Sequence, residues 1–328
     1  MDLRVLGTHR PGLTGHGVAR IRTLADNRLD NGKNATESLR RRQLMTYPTD
    51  RPATWFVTGT SRGLGLELVK ELLRRGENVA ATSRSLSELQ KSLGGMDTSR
   101  LLELSVDLSD ANEVNRAIQS TINHFGGLDV VVNNAGNGYL AAVEEVSDAD
   151  ARTMFDVQVF GVLNVVRAAL PGFRAQRSGH IINVSSILGL LSFPGWSLYA
   201  AGKFALTAIS ESLAAEVSDY GITVNLVEPG YMRTDFLTVS LAQPSTTSDA
   251  YPAIRTMVDQ HVNEIPGNQP GDPAKVAAAI IIVATTGDAP LHQFLGSDSI
   301  ALAEGRLQTL AADLEASRQL ALTTDFSA

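Results

Sequence analysis

Cysteine is absent from this chain of 328 residues, and that absence excludes disulfides, thiolate metal ligands and cysteine nucleophiles. The histidines stand far apart, without the spacing of metal ligands, so no metal site is predicted; they are His9, His16, His124, His180, His261 and His292. No apolar run approaches the length of a membrane span, and the apolar stretch 276–284 is typical of a buried helix. The net charge of −7 argues against a nucleic-acid surface. Together these features predict a cytoplasmic protein.

The first 44 residues differ in composition from the rest. They contain nine Lys or Arg residues but only four acidic residues, and they sustain no helical or strand period. This pattern predicts a disordered basic leader over residues 1–50, followed by a single domain over residues 51–328. An alternative is that translation begins at Met45, just before the ordered pattern. A transit peptide is a third reading, which the four acids weigh against.

From residue 53 onward, short β-branched runs alternate with amphipathic helices. Such alternation predicts an α/β fold, a Rossmann-type doubly wound parallel sheet of about seven strands with helices on both faces. The strands show little polar alternation because both of their faces would be buried. We predict strands at 54–58, 78–82, 101–106, 128–132, 179–184, 222–227 and 291–295, and helices at 64–75, 111–125, 148–174 and 197–220.

The regular pattern lapses between Gly230 and Gly271, where Pro, Gly, Ser and Thr are frequent. A long loop inside a compact domain is usually functional, so we predict a substrate lid over about 235–270. Asp272 and Pro273 then mark the start of another helix, as N-cap and first residue.

A glycine-rich turn follows the first predicted strand and opens a helix. Glycines here let the backbone turn tightly and approach a pyrophosphate at the helix N-terminus. The spacing is G-x-x-x-G-x-G, and a purely structural turn is the alternative. The residues assigned to cofactor binding in this turn are Gly59, Ser61, Arg62, Gly63, Leu64 and Gly65.

The end of the second strand bears on the choice of nucleotide. An acidic residue there suits the ribose 2′-hydroxyl of NAD, whereas Arg suits the 2′-phosphate of NADP. At the end of the second strand the sequence has Arg84 and no acidic residue, and Arg62 in the glycine turn is a second cation. We therefore expect NADP(H), with NAD(H) as the less favoured option. The alternative is that Arg84 only begins a helix on a solvated surface.

Two further motifs complete a recognisable set: Asn133-Asn134-Ala135-Gly136 after the fourth strand, and Tyr199-Ala-Ala-Gly-Lys203. With the glycine turn, in this order, the chain resembles the short-chain dehydrogenase/reductase family, most closely over residues 53–234. The remainder is loosely similar to the branch of retinol and hydroxysteroid dehydrogenases.

The resemblance implies roles for individual residues. Tyr199 would be the general acid or base, and the charge of Lys203, one helical turn later, would favour the phenolate. Lys203 would also hold the nicotinamide ribose. Ser186, thirteen residues before Tyr199, would bond the substrate oxygen. The remaining cofactor contacts would come from Asp107, Leu108, Asn134, Ala135, Gly136, Pro229, Gly230, Met232 and Thr234.

One position departs from the family pattern. The family has an asparagine in the long helix that relays protons through water to the lysine, and here Gln158 stands in its place. Glutamine carries the same amide on a longer stem, so it either binds the relay water or misplaces it. Asn164 lies on another face of the helix and is not assigned this role.

The motifs together predict an oxidoreductase that interconverts a ketone or aldehyde and its alcohol, with catalytic residues Ser186, Tyr199, Lys203 and Gln158. The apolar stretch 187–196 and the lid predict an apolar substrate; packing of the loops or a subunit contact is the alternative. The family resemblance implies a homo-oligomer. A catalytically idle NADP-binding sensor on the same fold is the competing function.

Overall fold

The computed structural model describes residues 47–326, which lie within one compact unit. Nearly all of the predicted leader and the alternative start at Met45 fall outside the described residues. Those expectations therefore stay predictions.

Seven strands form one sheet in the order β3-β2-β1-β4-β5-β6-β7, and every neighbouring pair is parallel. This arrangement confirms the predicted fold class. The strands are β1 (Thr54–Thr58), β2 (Asn78–Ser83), β3 (Leu101–Ser105), β4 (Val130–Asn133), β5 (Gly179–Val184), β6 (Ile222–Pro229) and β7 (His292–Leu295).

Helices lie on both faces of the sheet, and the last helix follows the last strand. They are α1 (Gly63–Arg74), α2 (Leu86–Ser92), α3 (Ala111–Phe125), α4 (Asp148–Phe155), α5 (Gly161–Gln176), α6 (Ser197–Val217), α7 (Pro252–Asp259), α8 (Pro273–Thr286) and α9 (Ser297–Ala321). Asp272 caps α8 as predicted, because its carboxylate accepts the amide hydrogens of Ala274 and Lys275.

Two apolar cores explain why the strands lack polar alternation. Trp55 and Val57 of β1 pack on one face against α1 and α8. Phe56, between them, packs on the other face among α3, α5 and α6. Successive residues of a strand point to opposite faces, so a sheet covered on both sides needs apolar residues at nearly every position.

The strand order reverses between β1 and β4, and ligands of such sheets bind beside this switch point, at the carboxyl ends of the strands. The glycine turn follows β1, Asn134 follows β4, Ser186 follows β5 and Gly230 follows β6. The topology therefore brings distant motifs to one edge of the sheet.

The long helix expected at 148–174 is interrupted. A π-helical turn at Asp156–Phe160 separates α4 from α5, and Gln158 lies within it. A π turn inserts one residue into the α-helical spacing, which simple periodicity does not detect. Such turns are frequent at functional sites, and this one faces the candidate site described below.

The same stretch corrects the expectation about membrane-spanning length. Asp148–Gln176 is long and apolar enough to cross a bilayer, with a mean hydropathy of 1.3 over its most apolar window. Half of that window is buried within the fold, where Val165 and Phe173 pack in the core. Scattered polar residues conceal the length of this stretch when only unbroken apolar runs are sought. The burial is that of a core helix.

Candidate active site

Thr58, at the end of β1, joins the glycine turn to the segment after β4. Its hydroxyl accepts the amide hydrogens of Asn134 and Ala135, each at 3.0 Å. The Asn134 side chain donates back to the carbonyl oxygens of Thr58 and Gly59, at 2.9 and 3.0 Å. Two motifs that are 76 residues apart in sequence are thus held in direct contact.

This contact leaves no room for larger residues at two of the glycines. A Cβ on Gly59 would lie 2.7 Å from the Cα of Ala135, and a Cβ on Gly65 would overlap the Gly59 carbonyl. Gly63 has a φ of +58°, which favours glycine, and its open side faces the Thr234 side chain. The result is a bare backbone cradle at the start of α1, which fits the pyrophosphate of a dinucleotide.

Ser186, Tyr199 and Lys203 meet at the next part of the same edge. Ser186 follows β5 and caps a short 3₁₀ turn, while Tyr199 and Lys203 lie one turn apart on α6. Both α6 side chains are buried. The Lys203 ammonium donates to the carbonyl of Val184 at 2.9 Å and lies 5.6 Å from the centre of the Tyr199 ring.

Burial dominates the charge states of this pair. It raises the pKa of Tyr199 to about 12, a shift that the neighbouring Ser186 hydroxyl opposes. It also lowers the pKa of Lys203 to about 8. Burial therefore opposes the lowering of the Tyr199 pKa expected from Lys203, because desolvation disfavours both charged forms. At neutral pH the phenol keeps its proton.

Gln158 reaches the space beside Lys203. Its amide nitrogen donates to the carbonyl of Asn137 at 2.6 Å, and its oxygen is buried without a hydrogen-bond partner among the described residues. A Cβ on Gly136 would lie 3.7 Å from both the Gln158 side chain and the Lys203 nitrogen. The amide therefore occupies the region where a water relay to Lys203 would run.

Asn164 is directed elsewhere, as expected. Its side chain donates to the carbonyl of Leu108 and accepts from Arg167. Leu108 itself packs against Gly161 at the start of α5. Asn164 therefore supports the segment after β3, which is one of the predicted adenine contacts.

Arg62 and Arg84, the two cations expected to contact the nucleotide, lie beside β2. An acidic residue that the sequence did not point to, Glu88, lies with them. Arg84 is exposed, whereas Arg62 pairs with Glu88 of α2 at 2.6 Å. Glu88 gave no signal in the sequence, since an acid in the first turn of a helix is common. Hydrogen bonds from Ser109 chiefly lower the pKa of Asp107, with a smaller contribution from Arg84.

The turn after β6 is braced by the C-terminal helix. The Asp298 carboxylate accepts the amide hydrogen of Tyr231 at 2.7 Å, and the Ser299 hydroxyl donates to the carbonyl of Glu228 at the same distance. Any Cβ on Gly230 would overlap Asp298. Neither α9 nor this contact is predicted from the sequence, because the contact joins segments 67 residues apart.

A chain of aromatic rings links Tyr199 to the loop after β6. Trp196 and Phe236 pack edge-on against Tyr199, with ring centres 5.5 and 5.7 Å away. His261 packs on Trp196 and accepts a hydrogen bond from the Tyr231 hydroxyl at 2.7 Å, since its other nitrogen faces the Met257 carbonyl. His261 was considered above only as a metal ligand.

Glu145 ties the 235–270 segment to the body of the fold. Its buried carboxylate accepts the amide hydrogens of Ala142 and Ser248 and pairs with Arg255 of α7. A short parallel pair of strands, Gly138–Tyr139 with Leu241–Ala242, makes a second connection. The segment therefore covers the Tyr199 side of the site through specific polar contacts as well as apolar packing.

Comparison with known proteins identifies the family. The model for short chain dehydrogenase matches residues 53–244, more than half of the chain. The chain therefore belongs to the short-chain dehydrogenase/reductase family, and it is an NAD(P)-binding oxidoreductase.

Individual relatives cover most of the chain. Oxidoreductase BOA17 of Botryotinia fuckeliana (strain B05.10) is 35% identical over 82% of this chain and 98% of its own length. Retinol dehydrogenase 8 of Bos taurus is 34% identical over 74% of this chain and 81% of its own. A short-chain dehydrogenase from Streptomyces avermitilis has a similar structure, with a TM-score of 0.78, 34% identity, and coverage of 85% of this chain and 100% of that one.

The close packing of the glycine cradle gives a direct test of cofactor binding. We expect Gly65→Ala to weaken NADPH binding about tenfold or more, since the added Cβ must displace the Gly59 carbonyl. Titration of the nucleotide by calorimetry measures this. Gly172→Ala on α5 is the matched control, because a Cβ there meets nothing within 4 Å. Equal affinities in the two variants would contradict the assignment of the cradle.

The charge state of Lys203 predicts the pH dependence of carbonyl reduction. Because the pKa of Lys203 is lowered to about 8 and its charged form is the useful one, kcat/KM should fall as pH rises through 8. Tyr199 keeps its proton over this range, with a pKa of about 12. A Lys203→Arg variant, slower but permanently charged, should lose this break. A wild-type profile that stays flat to pH 10 would refute the prediction.

Proposed function

We propose that this protein interconverts a ketone or aldehyde and the corresponding alcohol with NADP(H), using Tyr199 as the general acid and base. The observation that carries the proposal is the meeting of a buried, protonated Tyr199 with Ser186 and Lys203 beside a glycine cradle. The phenol is a proton donor that lies among apolar side chains near the carboxyl edge of the sheet.

The bound dinucleotide would supply or accept the hydride at the substrate carbon. In reduction, Tyr199 gives its proton to the carbonyl oxygen while the Ser186 hydroxyl orients that oxygen. Lys203 then stabilises the phenolate that forms, and its partner at Val184 keeps its nitrogen in place. The Gln158 amide, which lies next to Gly136 and close to Lys203, would take the place of the family's asparagine in restoring the proton.

The preference for NADP(H) rests on charge near β2. Arg84 stands free of any ion pair described there, no carboxylate ends β2, and Arg62 lies nearby. Glu88 neutralises part of the Arg62 charge, so Arg84 is the stronger candidate for the 2′-phosphate. NAD(H) lacks the phosphate and would find no carboxylate at the end of β2 to bind its ribose 2′-hydroxyl, so it would bind at lower affinity.

We propose an apolar substrate and assign residues 235–270 as its lid. The lining of the Tyr199 side is aromatic and aliphatic, with Trp196, Phe236 and Leu188 among its residues. The relative named retinol dehydrogenase 8 supports a lipid-like ketone or aldehyde. We also propose that the protein forms a homo-oligomer and is located in the cytoplasm.

The competing function is an NADP-binding sensor without turnover. The observation that favours it is the hydrogen bond from Gln158 to Asn137, which holds the longer amide in one orientation. If that orientation misplaces the relay water, the protein binds nucleotide but restores the tyrosine proton slowly.

The decisive experiment measures nicotinamide absorbance with NADPH and NADH across aliphatic, aromatic and steroidal carbonyls. We expect NADPH-dependent turnover, reduced at least about a hundredfold in Tyr199→Phe, because the phenol supplies the proton. Tyr220→Phe, an exposed tyrosine on the turn that follows α6, is the matched control and should retain activity.

Two outcomes separate the alternatives. Turnover that persists in Tyr199→Phe would refute the general-acid role. Tight NADPH binding without turnover, recovered in Gln158→Asn, would locate the defect in the relay. If Gln158→Asn also binds NADPH without turnover, the result would favour the function of an NADP-binding sensor.

The cofactor proposal has its own test. We expect Arg84→Ala to raise KM for NADPH about tenfold and to leave KM for NADH nearly unchanged, since only NADPH carries the phosphate. Glu88→Gln should instead lower KM for NADPH by releasing Arg62. Equal changes for both nucleotides in Arg84→Ala would contradict phosphate recognition.

A further inference from the structure

The C-terminal helix α9 begins on the body of the fold and then leaves it. Ser299 and Ala303 are buried at its base, whereas every residue from Leu307 to Ala321 is exposed. The last four turns of the helix therefore have no covering within the described part of the chain.

The free part of α9 carries a narrow apolar seam. Leu307, Leu310 and Leu314 are 59%, 40% and 65% exposed, and they follow one another at intervals of three and four residues. The same spacing continues through Ala303 toward the base and through Ser317 and Ala321 toward the tip. This is the a and d spacing of a two-helix coiled coil, in which each seam packs against another.

We propose that this seam pairs with the seam of a second copy of the chain, and that the two helices run antiparallel. The direction follows from the base of α9, where the seam position Ala303 is buried against the helix's own body. A parallel partner would need to place its own base in that occupied space. An antiparallel partner brings only the free end of its helix toward that base, so the paired part of the seam runs from Leu307 to Ser317, where every residue is exposed.

Charge complementarity supports this pairing and specifies its register. With Leu310 of one copy opposite Leu314 of the other, Glu304 falls opposite Arg318 in two symmetric pairs, beside the seam. Ala311 then faces its counterpart across the twofold axis. The one unfavourable contact is Asp313 beside the Asp313 of the other copy.

The charges also argue against a lipid surface as the occupant. The helix from Ser297 to Ala321 carries four acids and two arginines, without lysine. Interfacial helices bind anionic lipid through an excess of basic residues on the polar face, and that excess is missing here.

The first test is the oligomeric state of the full chain by analytical ultracentrifugation. We expect a dimer that dissociates at least tenfold more readily in Leu310→Lys/Leu314→Lys. The matched control, Gln308→Lys/Gln319→Lys, places the same charges on the opposite face of α9 and should leave the dimer intact. A monomer at roughly 100 µM, or a dimer indifferent to the seam variant, would overturn the proposal.

The register predicts three changes of known sign. Glu304→Arg and Arg318→Glu should each weaken the dimer several-fold, and the double variant should restore it. Asp313→Asn should strengthen the dimer by removing the repulsion at the axis. Weakening by Asp313→Asn would refute this register.

The absence of cysteine allows an unambiguous cross-linking test. Under mild oxidation, Ala311→Cys should form a disulfide between copies, while Ala316→Cys on the far face should not. A disulfide in Leu314→Cys instead of Ala311→Cys would indicate a parallel pair and would overturn the proposed direction. Seam-dependent binding to phosphatidylserine vesicles by a monomeric chain would identify a lipid surface as the occupant. None of these measurements depends on turnover.

Discussion

The hydrogen bonds between Thr58 and Asn134 are the contact on which the rest of the site depends. They join the carboxyl ends of β1 and β4 at the point where the strand order reverses. Because the two strands are held this closely, Gly59 and Gly65 admit no side chain and the loop between them keeps a bare backbone. A change at this contact would move both the phosphate cradle and the Gly136 segment that borders Lys203.

Burial is the second constraint, and it acts on the chemistry. Tyr199 and Lys203 lie in a region enclosed by Trp196, Phe236 and the covering segment, so both prefer their neutral forms more than in water. This environment retains the proton on the phenol at neutral pH, which suits donation to a carbonyl oxygen. The same enclosure strengthens the electrostatic interactions of Lys203 when it is charged, since few water molecules can screen them.

The sequence predicted the strands and several of the helices between them, because apolar β-branched runs and glycine turns are local signals, but it did not predict α9. The topology brings the motifs at Gly59 and Asn134 together, since β1 and β4 are neighbours that end at one edge of the sheet. The π turn at Gln158 and the pairing of Arg62 with Glu88 escaped prediction. Each depends on side chains brought together by packing, and neither leaves a periodic trace in the chain.

The strand–helix alternation, the candidate catalytic residues and the lack of cysteine follow from the sequence alone, because they depend on residue type and local spacing. Tertiary structure alone decided the charge states of Tyr199 and Lys203, the bracing of Tyr231 by Asp298 and the link from His261 to Trp196. These properties arise from burial and from contacts between distant segments. Desolvation and long-range packing have no counterpart in a linear pattern of residues, so only the folded chain determines them.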